Sequence, residues 1–177
     1  MPDMHKKYKE IVPELKKNLG LENIMEVPKL QKIVISTGIG SKADKDAFGE
    51  AVENIGLITG QRPVITKAKK NVAGFKLRVG MNSGVMVTLR GDRMWEFLDR
   101  WVHNTLPRVR DFRGLSPKGF DGRGNYSVGM DDITAFTEVD MDKLKRQLGI
   151  NLTFVTSAKT NEAGFELLKL LEVPFAK

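Results

Sequence analysis

Residues 85–90 read VMVTLR and alternate as a β-strand with two different faces does. One side takes Val85, Val87 and Leu89, and the other takes Met86, Thr88 and Arg90, because successive side chains of a strand point in opposite directions. The following residues, 92–107, carry apolar side chains at helical spacing, with Asp92 as the predicted N-cap and Pro107 as the predicted stop. A half-buried strand followed by an amphipathic helix is typical of a sheet with helices on one face.

The same two periods recur along the rest of the chain. Helices are predicted from Asp3 to Gly20, with a kink or a late start at Pro13, from a Ser41–Asp44 capping box to Gly60, and from Thr160 to Pro174. Strands are predicted at 30–36, 64–66, 125–129, 133–139 and 152–157. Short connections between strands imply antiparallel pairing. The predicted fold is therefore α+β, a mostly antiparallel sheet with helices packed on one face and the other face, with Thr88 and Arg90, open to a ligand.

Length and composition favour one globular domain over residues 1–177. The chain has 177 residues, 41% of them hydrophobic and 29% charged, and it has no cysteine. The absence of cysteine excludes disulfides, thiolate zinc sites and cysteine-ligated iron–sulfur clusters. Neither an apolar run of bilayer length nor an N-terminal signal segment is present, so a cytosolic protein without a membrane partner is expected.

Positive charge is concentrated in the middle of the chain. Residues 1–60 hold nine Lys/Arg and nine Asp/Glu, residues 61–129 hold fourteen and five, and residues 130–177 hold six and eight. The three parts correspond to an N-terminal helix, strand and helix, a basic centre, and C-terminal strands with a helix. Clustered Lys/Arg is the electrostatic signature of a polyanion ligand. A basic surface that only aids solubility is the alternative.

Residues 107–129, PRVRDFRGLSPKGFDGRGNYSVG, combine basic, aromatic and glycine residues. The basic side chains are Arg108, Arg110, Arg113, Lys118 and Arg123, and Phe112, Phe120 and Tyr126 are interleaved with them. Guanidinium groups contact phosphates, aromatic faces stack on unpaired bases, and glycines let backbone N–H groups approach phosphates. This basic Gly-rich loop therefore indicates RNA binding. The alternative is a surface loop whose aromatic side chains pin it to the core.

Residues 67–84, KAKKNVAGFKLRVGMNSG, form a second basic segment without an acidic residue. The predicted structure is an extended, mobile hairpin between two strands, with Phe75 as its one aromatic residue. A loop of like charges repels itself unless a polyanion meets it, which favours a binding function.

Residues with catalytic potential form no recognisable constellation. The two histidines, His5 and His103, lie far apart, and there is no nucleophile elbow, dinucleotide fingerprint or phosphate-binding loop. Acidic residues between 131 and 142 lack EF-hand spacing, so we interpret them as a solvated rim. The sequence predicts a binding protein with no enzyme activity, cofactor or metal.

Three long segments resemble one known family, that of the fifth protein of the bacterial large ribosomal subunit. They are GQRPVITKAKKNVAGFKLRVG, VTLRGDRMWEFLDR and LPRVRDFRGLSPKGFDGRGNYSVG, with EVPKLQKIVI and TSAKT as further matches near the ends. The resemblance covers nearly the whole chain in order. It implies a structural constituent of the large subunit whose open sheet face binds RNA.

The resemblance also implies partners and site residues. The partners would be 5S rRNA in the central protuberance, the large-subunit rRNA, peptidyl-site tRNA, and neighbouring proteins of the large subunit and of the small-subunit head. The ribosome would be cytoplasmic or, alternatively, organellar. The 5S rRNA would contact Ser36, Gln61 and Thr88, with Arg90 on the same strand face as Thr88. The tRNA would meet the hairpin at Lys69, Lys70, Phe75, Lys76 and Arg78.

The chain departs from the family pattern at three places. Ser36 stands where the family usually has Asn, which removes the donor–acceptor fork of an amide. Residues 81–83 contain no proline where the family usually has one, and Thr137 stands where the family usually has proline.

An RNA-processing or RNA-modifying enzyme that uses the same basic groove is the alternative function. A sequence-specific DNA-binding protein would need a helix-turn-helix or zinc pattern that the sequence lacks.

Overall fold

A computed structural model describes residues 3–40, 45–140, 144, 146 and 148–176. The predicted Ser41–Asp44 capping box lies outside the described residues. Within the described ranges, four α-helices and a five-stranded antiparallel sheet confirm the α+β prediction. No helix in these ranges combines enough length and apolar character for a bilayer span.

The regular elements follow one another along the chain in a mixed order. The helices are α1 (Asp3–Asn18), α2 (Lys45–Thr59), α3 (Asp92–Arg100) and α4 (Asn161–Leu170). The strands are β1 (Leu30–Gly38), β2 (Val64–Lys67), β3 (Asn82–Leu89), β4 (Tyr126–Met130) and β5 (Ile150–Thr156). The strand order is β2-β3-β1-β5-β4, so β2 and β4 are the edge strands.

The described residues divide into two compact units. The first lies within 1–33, 89–128 and 153–177, and the second within 34–88 and 129–152. Each strand except β2 therefore has residues in both units. The single domain that the sequence predicts over residues 1–177 therefore stays a prediction.

The first unit has a helical and aromatic core. Helices α1 and α3 pack together, and the Trp95 ring of α3 stacks on Tyr8 and His5 of α1 at centroid distances of 5.5 and 5.4 Å. Trp101 is fully buried, 4.9 Å from the ring of Phe154. The place of the two tryptophans in an apolar helical stripe predicts core packing for at least one of them, and the structure buries both.

The second unit buries one side of its strands and of α2. Val85 and Val87 of β3 are 1% and 3% exposed, whereas Met86 between them is 39% exposed. The predicted alternation is therefore confirmed. On α2 the buried side chains recur at helical spacing: Phe48, Ala51, Ile55 and Ile58. Gly60 ends the helix with φ +64°, a conformation that glycine adopts without steric penalty.

Helix termini differ from the predictions at α1 and α3. Helix α1 begins at Asp3 and continues through Pro13, so the late start was wrong. The N-cap of α3 is Gly91, and Asp92 is the first helical residue. The helical path continues beyond Arg100 through a π turn and a 3-10 turn, Leu106–Arg108, that contains Pro107. Proline fits there because the first residues of a helical turn need no N–H donor.

The predicted strand at 133–139 was wrong. The segment begins with a 3-10 turn, Ile133–Ala135, in which the Asp132 carboxylate accepts a bond of 2.9 Å from Thr134 N. Its buried side chains are Ile133, Phe136 and Val139, which are three residues apart. This spacing suits successive tight turns, whereas a strand would bury every second residue.

Candidate nucleic-acid interface

Gln61 and Thr88 meet on the second unit. Gln61 follows Gly60 at the end of α2, and its amide Nε2 donates a hydrogen bond of 3.2 Å to the Thr88 backbone oxygen on β3. Both residues are half-buried. A side chain that the protein already holds loses less conformational freedom when a ligand binds. The structure therefore presents the Gln61 amide in one orientation beside Thr88.

Thr59 adds a contact that the sequence reasoning missed. Its side chain is buried, and its hydroxyl donates 2.7 Å to Ile55 O and lies 3.1 Å from Gln61 O. The hydroxyl oxygen of Thr59 also accepts a bond of 3.4 Å from Gln61 N. The signal in the sequence was a Thr at a helix end, where the hydroxyl can bond to the carbonyl four residues earlier.

Ser36 occupies a half-buried position of β1 between the buried Ile35 and Thr37. Within the described residues, no hydrogen bond joins it to Gln61 or Thr88. Arg90 follows β3 and is exposed, and it belongs to the first unit. The structure thus joins two of the four residues predicted to face 5S rRNA and leaves the roles of all four as predictions.

Residues 67–84 form a hairpin whose stem is the β2–β3 pair. Val64 pairs with Met86 and Thr66 with Gly84, and the register shifts between Thr66 and Lys67. Further out, Ala68 N donates 2.8 Å to Met81 O. The hairpin is thus confirmed, and its mobility stays a prediction.

The hairpin tip is closed by its own hydrogen bonds. Val72 and Leu77 exchange backbone bonds of 3.0 and 3.1 Å around a 3-10 turn, Ala73–Phe75. Lys76 then adopts a left-handed conformation with φ +53°. Phe75 is 71% exposed, and its four predicted companions are also exposed: Lys69, Lys70, Lys76 and Arg78. The tip therefore presents one aromatic ring among four cations.

No carboxylate offsets this charge nearby in sequence. Residues 62–91 contain seven Lys/Arg and no Asp/Glu. Such a surface attracts a polyanion over long range and more strongly at low salt, because mobile ions screen it.

The basic Gly-rich loop lies in the first unit and exposes all five predicted cations. They are Arg108, Arg110, Arg113, Lys118 and Arg123. The Asp121 carboxylate shapes the turn at 121–125 by accepting bonds from Asn125 Nδ2 at 2.7 Å and Arg123 N at 2.8 Å. These bonds lower the pKa of Asp121, the side-chain bond from Asn125 contributing most. The sequence showed the basic residues but not this turn.

The aromatic residues of the loop pack mainly into the protein. The rings of Phe120 and Tyr126 lie 4.8 Å apart, and Phe165 and Phe175 complete the cluster. Tyr126 is 1% exposed and donates 2.9 Å to Ser116 O, and burial raises its pKa to about 12. Phe112 and Phe120 are half-buried. At Tyr126 the structure therefore bears out the alternative that an aromatic side chain pins the loop to the core.

Three loop glycines serve the protein's own packing: Gly114, Gly119 and Gly124. A Cβ on Gly119 would lie 2.4 Å from Ser127 O. A Cβ on Gly114 would lie 2.6 Å from Ala176 N, and one on Gly124 would lie 2.6 Å from the Ala158 Cβ. Gly122 has open space around it. Close approach to phosphate, which the sequence suggested for all the loop glycines, thus has a competing explanation at Gly114, Gly119 and Gly124.

Groups that could hold a metal were searched in the described part of the chain. No set of three or more His, Cys, Asp or Glu side chains there is arranged to bind an ion. The prominent features are cations, one fixed amide and one exposed aromatic ring, which are groups that contact nucleic acid.

Comparison with known proteins identifies the family. The family model described as "Ribosomal protein L5" matches residues 23–78, and the model for the C-terminus of the same ribosomal family matches residues 82–175. The protein "Large ribosomal subunit protein uL5" of Carboxydothermus hydrogenoformans is 54% identical over 179 residues, with 100% of both chains covered. The proteins of the same name from Geotalea daltonii and Alkaliphilus oremlandii are 55% identical over 168 residues and 49% identical over 178 residues. The Geotalea alignment covers 94% of each chain, and the Alkaliphilus alignment covers 100% of this chain and 98% of its relative.

These matches confirm the predicted family and decide between the function classes. Members are structural, non-enzymatic components of the large ribosomal subunit, and rRNA binding is typical of them. The family assignment therefore removes the RNA-processing enzyme as an alternative. The chain belongs to the bacterial-type uL5 family of large-subunit ribosomal proteins.

Proposed function

We propose that this chain binds 5S rRNA through Ser36, Gln61, Thr88 and Arg90 and joins it to the large-subunit rRNA in the central protuberance. The observation that supports this most is the Gln61 amide held at 3.2 Å by the Thr88 carbonyl. One N–H of Gln61 is used in that bond, so the side-chain oxygen and the other N–H remain for a base edge. Residues 62–91, which include Thr88, contain seven Lys/Arg and no Asp/Glu, and this positive charge attracts phosphates.

The hairpin at 67–84 is proposed to contact peptidyl-site tRNA. Its tip combines an exposed Phe75 ring with Lys69, Lys70, Lys76 and Arg78. The cations would contact the phosphates, and the exposed ring would stack on a sugar or a base. Such contacts suit a tRNA that is bound and released repeatedly during translation. The backbone bonds between Val72 and Leu77 close the tip, which supports the proposal that the tip contacts tRNA as one structural element.

The basic Gly-rich loop is proposed to hold large-subunit rRNA. Its five exposed cations project from a backbone that the Tyr126 cluster fixes. The proposal includes neighbouring proteins of the large subunit and of the small-subunit head as further partners. The bacterial relatives favour a cytoplasmic ribosome as the location.

Two sets of variants test the proposed division of labour. Gln61→Ala and Arg90→Ala should each weaken binding to 5S rRNA by about tenfold, the usual effect of losing one good RNA contact. Lys69→Glu/Lys70→Glu should leave the 5S affinity within about threefold of the wild type and weaken tRNA engagement on the ribosome. Filter binding with 5S rRNA, tRNA and duplex DNA over a salt series gives the first readout. Assembled ribosomes with labelled tRNA give the second.

The salt series separates specific from generic binding. A 5S preference that persists at physiological salt supports the proposal, since counterion release alone loses affinity steeply as salt rises. Equal affinity for all three nucleic acids, falling together with salt, would contradict it. Equal losses of 5S affinity in both sets of variants would contradict the division of labour.

A further inference from the structure

Gln61 is held by two elements, the end of α2 and strand β3. The Thr59 hydroxyl oxygen accepts a bond of 3.4 Å from Gln61 N, which ties the Gln61 backbone to the end of α2. The Thr88 carbonyl accepts 3.2 Å from Gln61 Nε2, which fixes the far end of the side chain. All three residues lie in the second compact unit.

The helix end does not require the Thr59 hydroxyl. Gly60 already closes α2, with φ +64° and a bond of 2.9 Å from its N–H to Gly56 O. A buried hydroxyl needs one good partner, and Ile55 O supplies it at 2.7 Å. The bond from Gln61 N is therefore additional to what the helix end and the buried hydroxyl need.

We propose that Thr59 is a positioning residue for RNA recognition by Gln61. Its hydroxyl sets the path of the backbone at Gln61, so that the amide reaches the Thr88 carbonyl and presents its oxygen and second N–H to an unpaired base edge. Thr59 is 4% exposed, so it acts through Gln61 and makes no RNA contact itself. The inference rests on the proposed 5S binding by Gln61.

A double-mutant cycle tests the inference. Thr59→Val keeps the shape of the side chain and removes the hydroxyl, and Thr59→Ser keeps the hydroxyl. The four proteins of the cycle are the wild type, Thr59→Val, Gln61→Ala and the double variant, each titrated with 5S rRNA at physiological salt. Thr156→Val is the matched control, because the buried Thr156 hydroxyl also bonds two backbone groups, Gly124 O at 2.8 Å and Ala158 N at 3.1 Å, in the other unit.

We expect Thr59→Val to weaken 5S binding by about tenfold, as the loss of a hydrogen bond that orients a contact would do. Thr59→Ser should bind within about threefold of the wild type. In the Gln61→Ala background, Thr59→Val should cause no further loss, because the group that it positions is gone. The salt dependence of binding should be unchanged, since no charge is removed.

Three results would overturn the inference, and they are distinguishable. Full 5S affinity in Thr59→Val beside weakened Gln61→Ala would refute the positioning role and leave the proposed function standing. Additive losses in the double variant, or an equal loss in Thr156→Val, would mean that Thr59 acts through general stability. Unchanged binding in Gln61→Ala would overturn both the proposed site and this inference. If Thr59→Val lowers the folded fraction in thermal unfolding, the cycle is repeated at a lower temperature at which all four proteins are folded.

Discussion

Gly84 allows β3 to approach the neighbouring backbone where the hairpin leaves the sheet. An alanine Cβ at this position would lie 2.3 Å from the Thr37 carbonyl oxygen, whereas ordinary contact begins at 3.4 Å. The two groups would therefore have to separate by about 1.1 Å. Thr37 cannot yield freely, because it is buried and its hydroxyl donates 2.6 Å to Gly149 O. Gly84→Ala should thus strain the sheet at the base of the hairpin.

The expected loss of stability follows from these distances. Overpacking of a well-packed site costs about 1–3 kcal/mol. The lower entropy of an unfolded alanine chain offsets about 0.4–1 kcal/mol of that cost. We therefore expect the free energy of unfolding to fall by about 1–2 kcal/mol. In urea, with a slope of about 2 kcal/mol per molar, the midpoint should fall by about 0.5–1 M.

Urea unfolding followed by circular dichroism measures this shift, and Gly49→Ala provides a control of opposite sign. Gly49 lies inside α2 in the same unit, and a Cβ there meets nothing within 4 Å. Alanine is the better helix former, so this variant should be more stable by up to about 1 kcal/mol. A Gly84→Ala midpoint equal to or above that of the wild type would refute the argument from close approach.

Three further predictions concern the loop, the hairpin and the last helix. The neutral Tyr126 hydroxyl is favoured in the folded state, where burial raises the pKa to about 12 from 10.0, so the contribution of Tyr126 to stability should be constant below pH 10 and be lost as pH rises from 10 towards 12. Alkaline unfolding monitored by tryptophan fluorescence checks this, and Tyr126→Phe should remove that part of the decline. Phe75→Ala should change the free energy of unfolding by less than about 0.5 kcal/mol, because the ring is 71% exposed, yet it should weaken tRNA engagement on assembled ribosomes. A large loss of stability would show that the ring supports the hairpin instead. The Thr160 hydroxyl caps α4 by accepting 3.4 Å from Ala163 N, so Thr160→Ala should cost about 1 kcal/mol in urea unfolding and Thr160→Ser much less.

Local patterns with a single strong period could be predicted from the sequence. The alternation from Val85 to Leu89 shows directly which residues are buried, because one face of β3 is covered and the other is not. The same reasoning failed at residues 133–139, where apolar residues three apart were interpreted as a strand. A segment of seven residues is too short to separate a period of two from a period of three, and its β-branched residues favoured the strand.

The residue types of the site could be predicted from the sequence, but the contacts between those residues could not. Gln61 and Thr88 are distant in sequence, and only the fold brings the amide to the carbonyl. The partners of Tyr126 in the aromatic cluster come from a strand and a segment much later in the chain, so its burial could not be inferred from the loop alone. Thr59 was missed because a threonine at a helix end usually does no more than satisfy its own hydroxyl.

The edge position of β2 has a consequence for self-association. An edge strand presents unpaired backbone groups that can pair with a second molecule, and Val64 and Ile65 on it are 65% and 37% exposed. Arg62, Pro63 and Lys67 bracket these two side chains. Charge and proline at an edge discourage strand-to-strand aggregation, so the basic residues that attract a polyanion also keep free copies of the chain apart. Neutralising them to weaken RNA binding would remove this protection as well, and such variants would gain a tendency to precipitate before they meet their RNA.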